Sequence, residues 1–313
     1  MKKILFVDTN HDVLHETLRA AGFRCDLFWN KSVEELKALL PEYNGLVIRS
    51  RFKITKEIID SAKNLQCIGR AGAGMENIDV KYAESKGIKC VSAAEGNRDA
   101  VAEHTIGMLL MLFNNLKRVD DEVRKGIWLR AENRGVEIFE KTVGIIGYGN
   151  MGSAFAQRLK GFGCKILAYD KYKKGFGSDL VTESSMEQLY NECDIISIHV
   201  PLTEETNYLI NKDFISQFKK NIYLINTSRG KCLNTADLIE GIASGKVVGA
   251  CLDVLEYESI SFENIDTEKL PEPMQQLIKS NKVILSPHIA GWTHESNYRI
   301  SKIIAEKMIA VLK

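Results

Sequence analysis

The chain has 313 residues, with 42 Lys+Arg against 41 Asp+Glu and a formal net charge of +1. Its 45% hydrophobic and 27% charged composition is that of a folded globular protein of one large or two ordinary domains, which excludes disorder. The neutral balance excludes a nucleic-acid partner, and no apolar run approaches the roughly 20 residues of a membrane span.

MKKILFVDTN is too short in apolar residues for a signal segment and predicts a first strand over 3–8. Further strands are expected over 24–28, 45–49, 66–69 and 88–91, which are apolar or β-branched and bounded by turn residues. Amphipathic helices fall between them, at 12–21 and at 32–40. The second opens on Ser32 with Glu35 three residues on, a capping box. Residues 98–118 read as one long helix whose broad apolar stripe suits burial between layers. A second series follows, with strands over 142–147, 164–169, 194–200, 222–226, 248–254 and 282–286. Its helices are predicted at 151–162, 235–244 and 293–312. Residues 258–281 lack a period and carry Pro271 and Pro273, so a long loop is expected, with a short helix over 273–279. Alternating β and α predicts an α/β protein built on parallel sheets covered on both faces. The two series predict two similar domains.

Seven scattered cysteines form no C-x-x-C pair, so a disulfide or zinc framework is not expected and reduced thiols of a cytoplasmic protein fit better. His11 and His15 stand at i, i+4 without the glutamate of a zincin, and no metal site is expected. Glu103 and His104 lie in the long helix and read as packing or inter-subunit residues. Glycine is abundant, 23 against 5 Pro, and is not gathered in a linker.

Part of that glycine has a task. Gly147-Tyr148-Gly149-Asn150-Met151-Gly152 matches G-x-G-x-x-G between a predicted strand and helix, and Asp170 ends the next strand at the interval of a dinucleotide fingerprint. Gly147 permits the tight turn, Gly149 lets backbone approach a pyrophosphate, and Gly152 lets helix pack on strand. Uncapped N–H groups at the helix start then face the phosphates. The Asp170 carboxylate suits ribose hydroxyls and repels a 2′-phosphate. NAD is therefore expected over NADP, a preference softened by Lys171 and Lys173.

Three further segments end predicted strands, where open parallel sheets hold ligands. Arg229 in NTSRG could fork onto a carboxylate, or be a surface arginine in a turn. Asp253, Glu256 and Glu258 form an acidic stretch; one could support a histidine and another the cofactor, or all could be solvated. His288 in SPHIAG is the third. Hydride chemistry on a 2-hydroxy acid needs such a histidine to take the hydroxyl proton, a carboxylate on its other ring nitrogen, and an arginine on the substrate.

In chain order, VIRSR (47–51), IGRAGAGMENID (68–79), the glycine motif, HVPLT (199–203), NTSRG (226–230), the LDV…E segment (252–258) and SPHIAG (286–291) resemble the D-isomer-specific 2-hydroxyacid dehydrogenase family. The likeness spans essentially the whole chain and is nearest to the D-3-phosphoglycerate dehydrogenases, in a short form. It implies two Rossmann/flavodoxin-like doubly wound domains. A discontinuous substrate domain takes 1–97 and 287–313, and an NAD domain takes 98–286.

The resemblance makes Arg229, Glu258 and His288 the catalytic set, with Glu258 chosen over Glu256 by the family interval from Arg229. Gly147, Gly149, Asn150, Met151, Gly152, Asp170, His199, Val200, Pro201, Thr227, Asp253 and Gly291 would hold NAD. Arg49, Ser50, Arg51, Ala73 and Gly74 would hold the substrate, the two arginines reaching a phosphate. The implied reaction is oxidation of 3-phospho-D-glycerate in serine biosynthesis. A glyoxylate/hydroxypyruvate reductase or other D-2-hydroxyacid dehydrogenase is the alternative, and an NAD-sensing co-repressor-like protein is the alternative of another class. A homodimer is implied.

Ser259 stands where the family has proline, the Glu258–His288 segment is long, and Trp292 replaces a small residue. The chain ends after the last helix, so serine-binding regulatory domains are not expected.

Overall fold

The computed structural model describes residues 1–29, 32–258 and 270–313. The chain divides into two units: Met1–Arg98 with Trp292–Lys313, and Asp99–Gly291.

In the first unit β1 (Lys3–Phe6), α1 (Asp12–Ala20), β2 (Arg24–Leu27), α2 (Val33–Leu39), β3 (Gly45–Ile48), α3 (Lys56–Ser61), β4 (Cys67–Arg70), α4 (Val80–Ser85) and β5 (Lys89–Ser92) alternate. All five strands are parallel, in the order β2-β1-β3-β4-β5, the flavodoxin-like winding. Every residue of β3 is buried, as befits a strand covered on both faces. The capping box at Ser32 and Glu35 is formed.

α5 (Ala94–Phe113) carries the chain across the unit boundary, and α6 (Leu116–Arg124) follows. The sequence predicts one helix here, but Asn115 takes the left-handed conformation with φ 53° and breaks it. Asparagine tolerates that region better than most residues, and the adjacent Asn114 side chain back-bonds to the Leu110 carbonyl.

The second unit holds β6 (Thr142–Ile146), α7 (Asn150–Leu159), β7 (Lys165–Tyr169), β8 (Thr182–Glu183), α8 (Met186–Glu192), β9 (Ile195–Ile198), α9 (Lys212–Ser216), β10 (Ile222–Asn226), α10 (Thr235–Ala243), β11 (Val247–Leu252), α11 (Glu272–Lys279) and β12 (Val283–Leu285). α12 (His294–Leu312) returns to the first unit and packs on α1 and β4. The seven parallel strands run β12-β11-β10-β9-β6-β7-β8, so the winding reverses between β6 and β9. The two-residue edge strand β8 has no signal in the sequence. The expected long loop falls largely outside the described residues, at 259–269, whereas its short helix is α11.

Residues 287–291 lie in the second unit, not with the first as the sequence reading has them. The reason is Asp253, which binds this segment through the His288, Ile289 and Ala290 amides.

Candidate active site

One row of residues crosses the second sheet in register: Tyr169, Ile146, Ile198, Asn226, Leu252 and Leu285. Each ends or nearly ends its strand, and each is followed by a motif the sequence singles out. Parallel pairing thus gathers six distant segments at one carboxyl edge, where doubly wound sheets bind ligands.

At the reversal point Gly147 has φ +91°, and a Cβ there would meet the His199 carbonyl at 2.7 Å. Gly152 is buried in the first turn of α7, and its Cβ would stand 2.1 Å from the Gly147 carbonyl. Gly149 differs: it is exposed and a Cβ would meet nothing within 4 Å. It is the N-cap of α7 and makes no side-chain cap, so the first N–H groups of that helix, including those of Asn150 and Met151, are not capped by it. Exposed donors at a helix start, with no side chain over them, fit a pyrophosphate.

Asp170 follows β7. Its Oδ2 accepts the Tyr148 N–H at 2.8 Å, and its Oδ1 accepts those of Tyr172 and Lys173 at 3.0 and 2.9 Å. Burial pushes the carboxyl up, but the Lys173, Tyr148 and Tyr172 amides together with the Lys173 charge hold it below the usual carboxylate range. It therefore stays an acceptor suited to ribose hydroxyls. With the open helix start, these residues fit a dinucleotide with a free 2′-hydroxyl.

His199, Val200 and Pro201 follow β9. The His199 Nε2 pairs with Ser197 Oγ at 2.8 Å, while Nδ1 is sealed from solvent with no partner among the described residues. Burial pushes this imidazole down to about 4, so it is neutral. Thr227 follows β10 and meets Thr105 at 3.3 Å.

Arg229 is extended at the entrance of a 3₁₀ turn and donates Nη1–H to the Ser228 carbonyl at 2.6 Å. Glu258 and His288 come together: His288 Nδ1 lies 3.0 Å from Glu258 Oε1, each side chain about a quarter exposed. The carboxylate accepts Nδ1–H, which leaves Nε2 with its lone pair. Glu256 is committed elsewhere, to the Tyr208 hydroxyl and the Thr235 amide. Geometry thus puts Glu258, not Glu256, against His288.

Asp253 is 1% exposed, and its carboxylate accepts Ser286 Oγ–H at 2.6 Å and the Ile289 and Ala290 amides. Gly291 closes this segment. Sequence reasoning missed Ser286 and left His104 to packing, yet His104 Nε2 lies 2.9 Å from Ser286 Oγ. No local signal could reveal a contact that joins a helix to a strand end so far along the chain.

In the first unit, the register pair Ile48 and Arg70 places the loops after β3 and β4 side by side. These carry Arg49, Ser50 and Arg51, and Ala73 and Gly74. Arg51 donates to the Val7 and Phe28 carbonyls at 3.3 and 3.1 Å. Arg49 is different. Its guanidinium lies 4.6 Å from the Trp292 ring, and it donates no side-chain hydrogen bond among the described residues. Burial lowers its pKa, opposed by Asp8. Trp292 itself is 63% exposed.

The model of the D-isomer specific 2-hydroxyacid dehydrogenase NAD binding domain matches residues 106–290. The chain is 37% identical to a hydroxypyruvate reductase of Thermotoga maritima, over 89% of this chain and 88% of that one. It is 35% identical to a D-3-phosphoglycerate dehydrogenase of Archaeoglobus fulgidus, over 99% of this chain but 57% of the relative, so it spans little more than half that relative's length. Among solved structures it resembles a D-lactate dehydrogenase of Aquifex aeolicus complexed with NAD and lactic acid. The TM-score is 0.83 and the identity 31%, covering 99% of this chain and 95% of that one.

Proposed function

The chain belongs to the D-isomer-specific 2-hydroxyacid dehydrogenase family of NAD-dependent oxidoreductases, and from that premise we propose that it oxidises 3-phospho-D-glycerate to 3-phosphohydroxypyruvate in the cytoplasm, at the head of serine biosynthesis. NAD, when bound, supplies the hydride acceptor. His288 Nε2 takes the hydroxyl proton as the hydride leaves C2. Glu258 keeps the ring in the Nδ1–H tautomer and stabilises the imidazolium that results. Arg229 orients the substrate carboxylate and polarises the C2 oxygen. In the reductive direction His288 begins protonated and returns its proton to that oxygen.

The observation that carries the substrate choice is Arg49. A largely enclosed guanidinium that lies 4.6 Å from the Trp292 ring and donates no side-chain hydrogen bond among the described residues has N–H groups to offer an anion. Neither lactate nor glycerate has a second anionic group to fill it. The test is NADH formation with 3-phosphoglycerate beside D-glycerate, D-lactate and 2-hydroxyglutarate, before and after Arg49→Glu and Arg51→Glu. Charge reversal should cut kcat/KM for the phosphorylated acid by at least 100-fold and leave D-glycerate within threefold. An unchanged preference refutes the phosphate reading.

A second reading, reduction of hydroxypyruvate, is favoured by the 37% identity to the hydroxypyruvate reductase, against 35% to the phosphoglycerate enzyme. Turnover of any of these acids sets aside an NAD-sensing role. A homodimer is supported by the exposed apolar side chains Met111, Leu116, Val123, Ile127 and Trp128, on and just after α5 and α6.

A further inference from the structure

Asp253 sits at the end of β11 with almost no exposed surface, and a carboxylate so enclosed has to be supplied with donors. Ser286 Oγ–H and the Ile289 amide serve Oδ1, and the Ala290 amide serves Oδ2. The next donor goes to the main chain: the His288 N–H reaches the Asp253 carbonyl at 2.7 Å. Three consecutive amides, 288 to 290, therefore converge on this one residue.

That convergence has a conformational condition. His288 has φ +57°, in the left-handed region. A histidine stays there only when its surroundings impose it, and the three amides that reach Asp253, one to its carbonyl and two to its carboxylate, supply that constraint. The same turn holds the ring against Glu258.

His104 on α5 is the outermost member of the chain of contacts. Its Nε2 lies 2.9 Å from Ser286 Oγ and 3.5 Å from Asp253 Oδ1. The Ser286 proton is committed to Asp253, so the Ser286 oxygen accepts and His104 Nε2–H donates. His104 thereby reaches the Asp253 carboxylate through the Ser286 hydroxyl.

We infer that His104, acting through Ser286, is a positioning residue: it fixes the Asp253 carboxylate, which imposes the left-handed turn that presents His288 to Glu258. The kinetic consequence rests on the acid–base reading of His288; the structural consequence does not. Neither role follows from the family's motif, and Asp253 is here a scaffold for the histidine whatever it also offers to the cofactor.

The test compares His104→Leu, His104→Gln and Ser286→Ala in the full chain. Amide hydrogen exchange reads the turn directly and needs no substrate. In His104→Leu the amides of 288 to 290 should exchange at least tenfold faster, with β6 amides unchanged. Turnover of the best acid of the panel should fall tenfold or more. His104→Gln, whose Nε2 can stand where the imidazole Nε2 stands, should restore both. Ser286→Ala should match His104→Leu, and the double variant should be no worse than either single one, since the relay is already broken. Unchanged exchange in His104→Leu overturns the inference, and so does a loss that glutamine fails to restore. Should His104→Leu not fold, Ser286→Ala and His104→Gln carry the same comparison. Persistent turnover in His288→Ala beside faster exchange in His104→Leu would refute the acid–base reading while upholding the positioning one.

Discussion

Two glycines of one motif should respond oppositely to the same methyl group. At Gly152 the added Cβ would lie 2.1 Å from the Gly147 carbonyl oxygen, and 3.1 Å from Ile145. An ordinary carbon–oxygen contact is more than an ångström longer, and the obstacle is backbone rather than a side chain that can swing away. Overpacking of this kind costs about 1–3 kcal/mol, and the backbone clash puts it at the upper end. Alanine's better helix propensity returns up to about 1 kcal/mol, so a net loss of about 2 kcal/mol is expected. For a unit of this size that lowers Tm by roughly 4–8 °C.

At Gly149 φ is −86° and nothing lies within 4 Å, so Gly149→Ala should leave the ligand-free protein within about 1 kcal/mol of the parent. The methyl instead occupies the space a pyrophosphate must enter. Displacing one charge-assisted N–H contact costs about 2 kcal/mol, or roughly 30-fold in Kd. Thermal denaturation and calorimetric titration of NADH on the two variants measure both numbers. Equal loss of Tm in both, or parental NADH affinity in Gly149→Ala, would refute the division between a packing glycine and a ligand-approach glycine.

His288→Ala and Arg229→Ala should each lose at least about 1000-fold in kcat with NAD affinity within threefold, because a proton acceptor and a transition-state donor are removed rather than cofactor contacts. Glu258→Gln should lose less: one partly exposed charge-assisted bond of 3.0 Å is worth about 2 kcal/mol, or roughly 30-fold in kcat/KM. Steady-state kinetics with NADH titration distinguishes the three, and a Glu258→Gln enzyme within threefold of the parent would remove that residue from the set. His199 gives a pH dependence. Burial depresses its folded pKa to about 4, so the unfolded chain binds the extra proton first as pH falls below about 6.5. Stability is full above that value and is lost progressively toward pH 4. Between pH 7 and 5 the loss is about 2 kcal/mol, measurable by urea denaturation. His199→Gln should lack that component, and an identical pH dependence in the variant would contradict a neutral buried ring.

Much of the architecture is legible locally because helix and strand are local periodicities. The strand at 45–49 is apolar throughout, and β3 is buried throughout. The glycine motif carries its own context, a strand before it and Asp170 after it, so its place on α7 follows from the sequence alone. Boundaries are less secure. Asn115 breaks the long helix through a single left-handed residue, which periodicity over many residues averages away.

The site divides in the same way. Residue types at strand ends were enough to single out Arg229, His288 and the acidic stretch, since the chemistry needs a base, a carboxylate and a cation. The family interval already pointed to Glu258 over Glu256; tertiary structure supplies the contacts, with Glu258 at His288, Glu256 spent on Tyr208 and Thr235, and Asp253 receiving the amides of the turn that carries His288. It also separated Arg49, over the Trp292 ring, from Arg51, tied to two carbonyls, and brought His104 to Ser286. These distinctions rest on contacts between residues far apart in the chain. Strand register and packing set them, and no spacing within a segment encodes which distant partner a polar group will find.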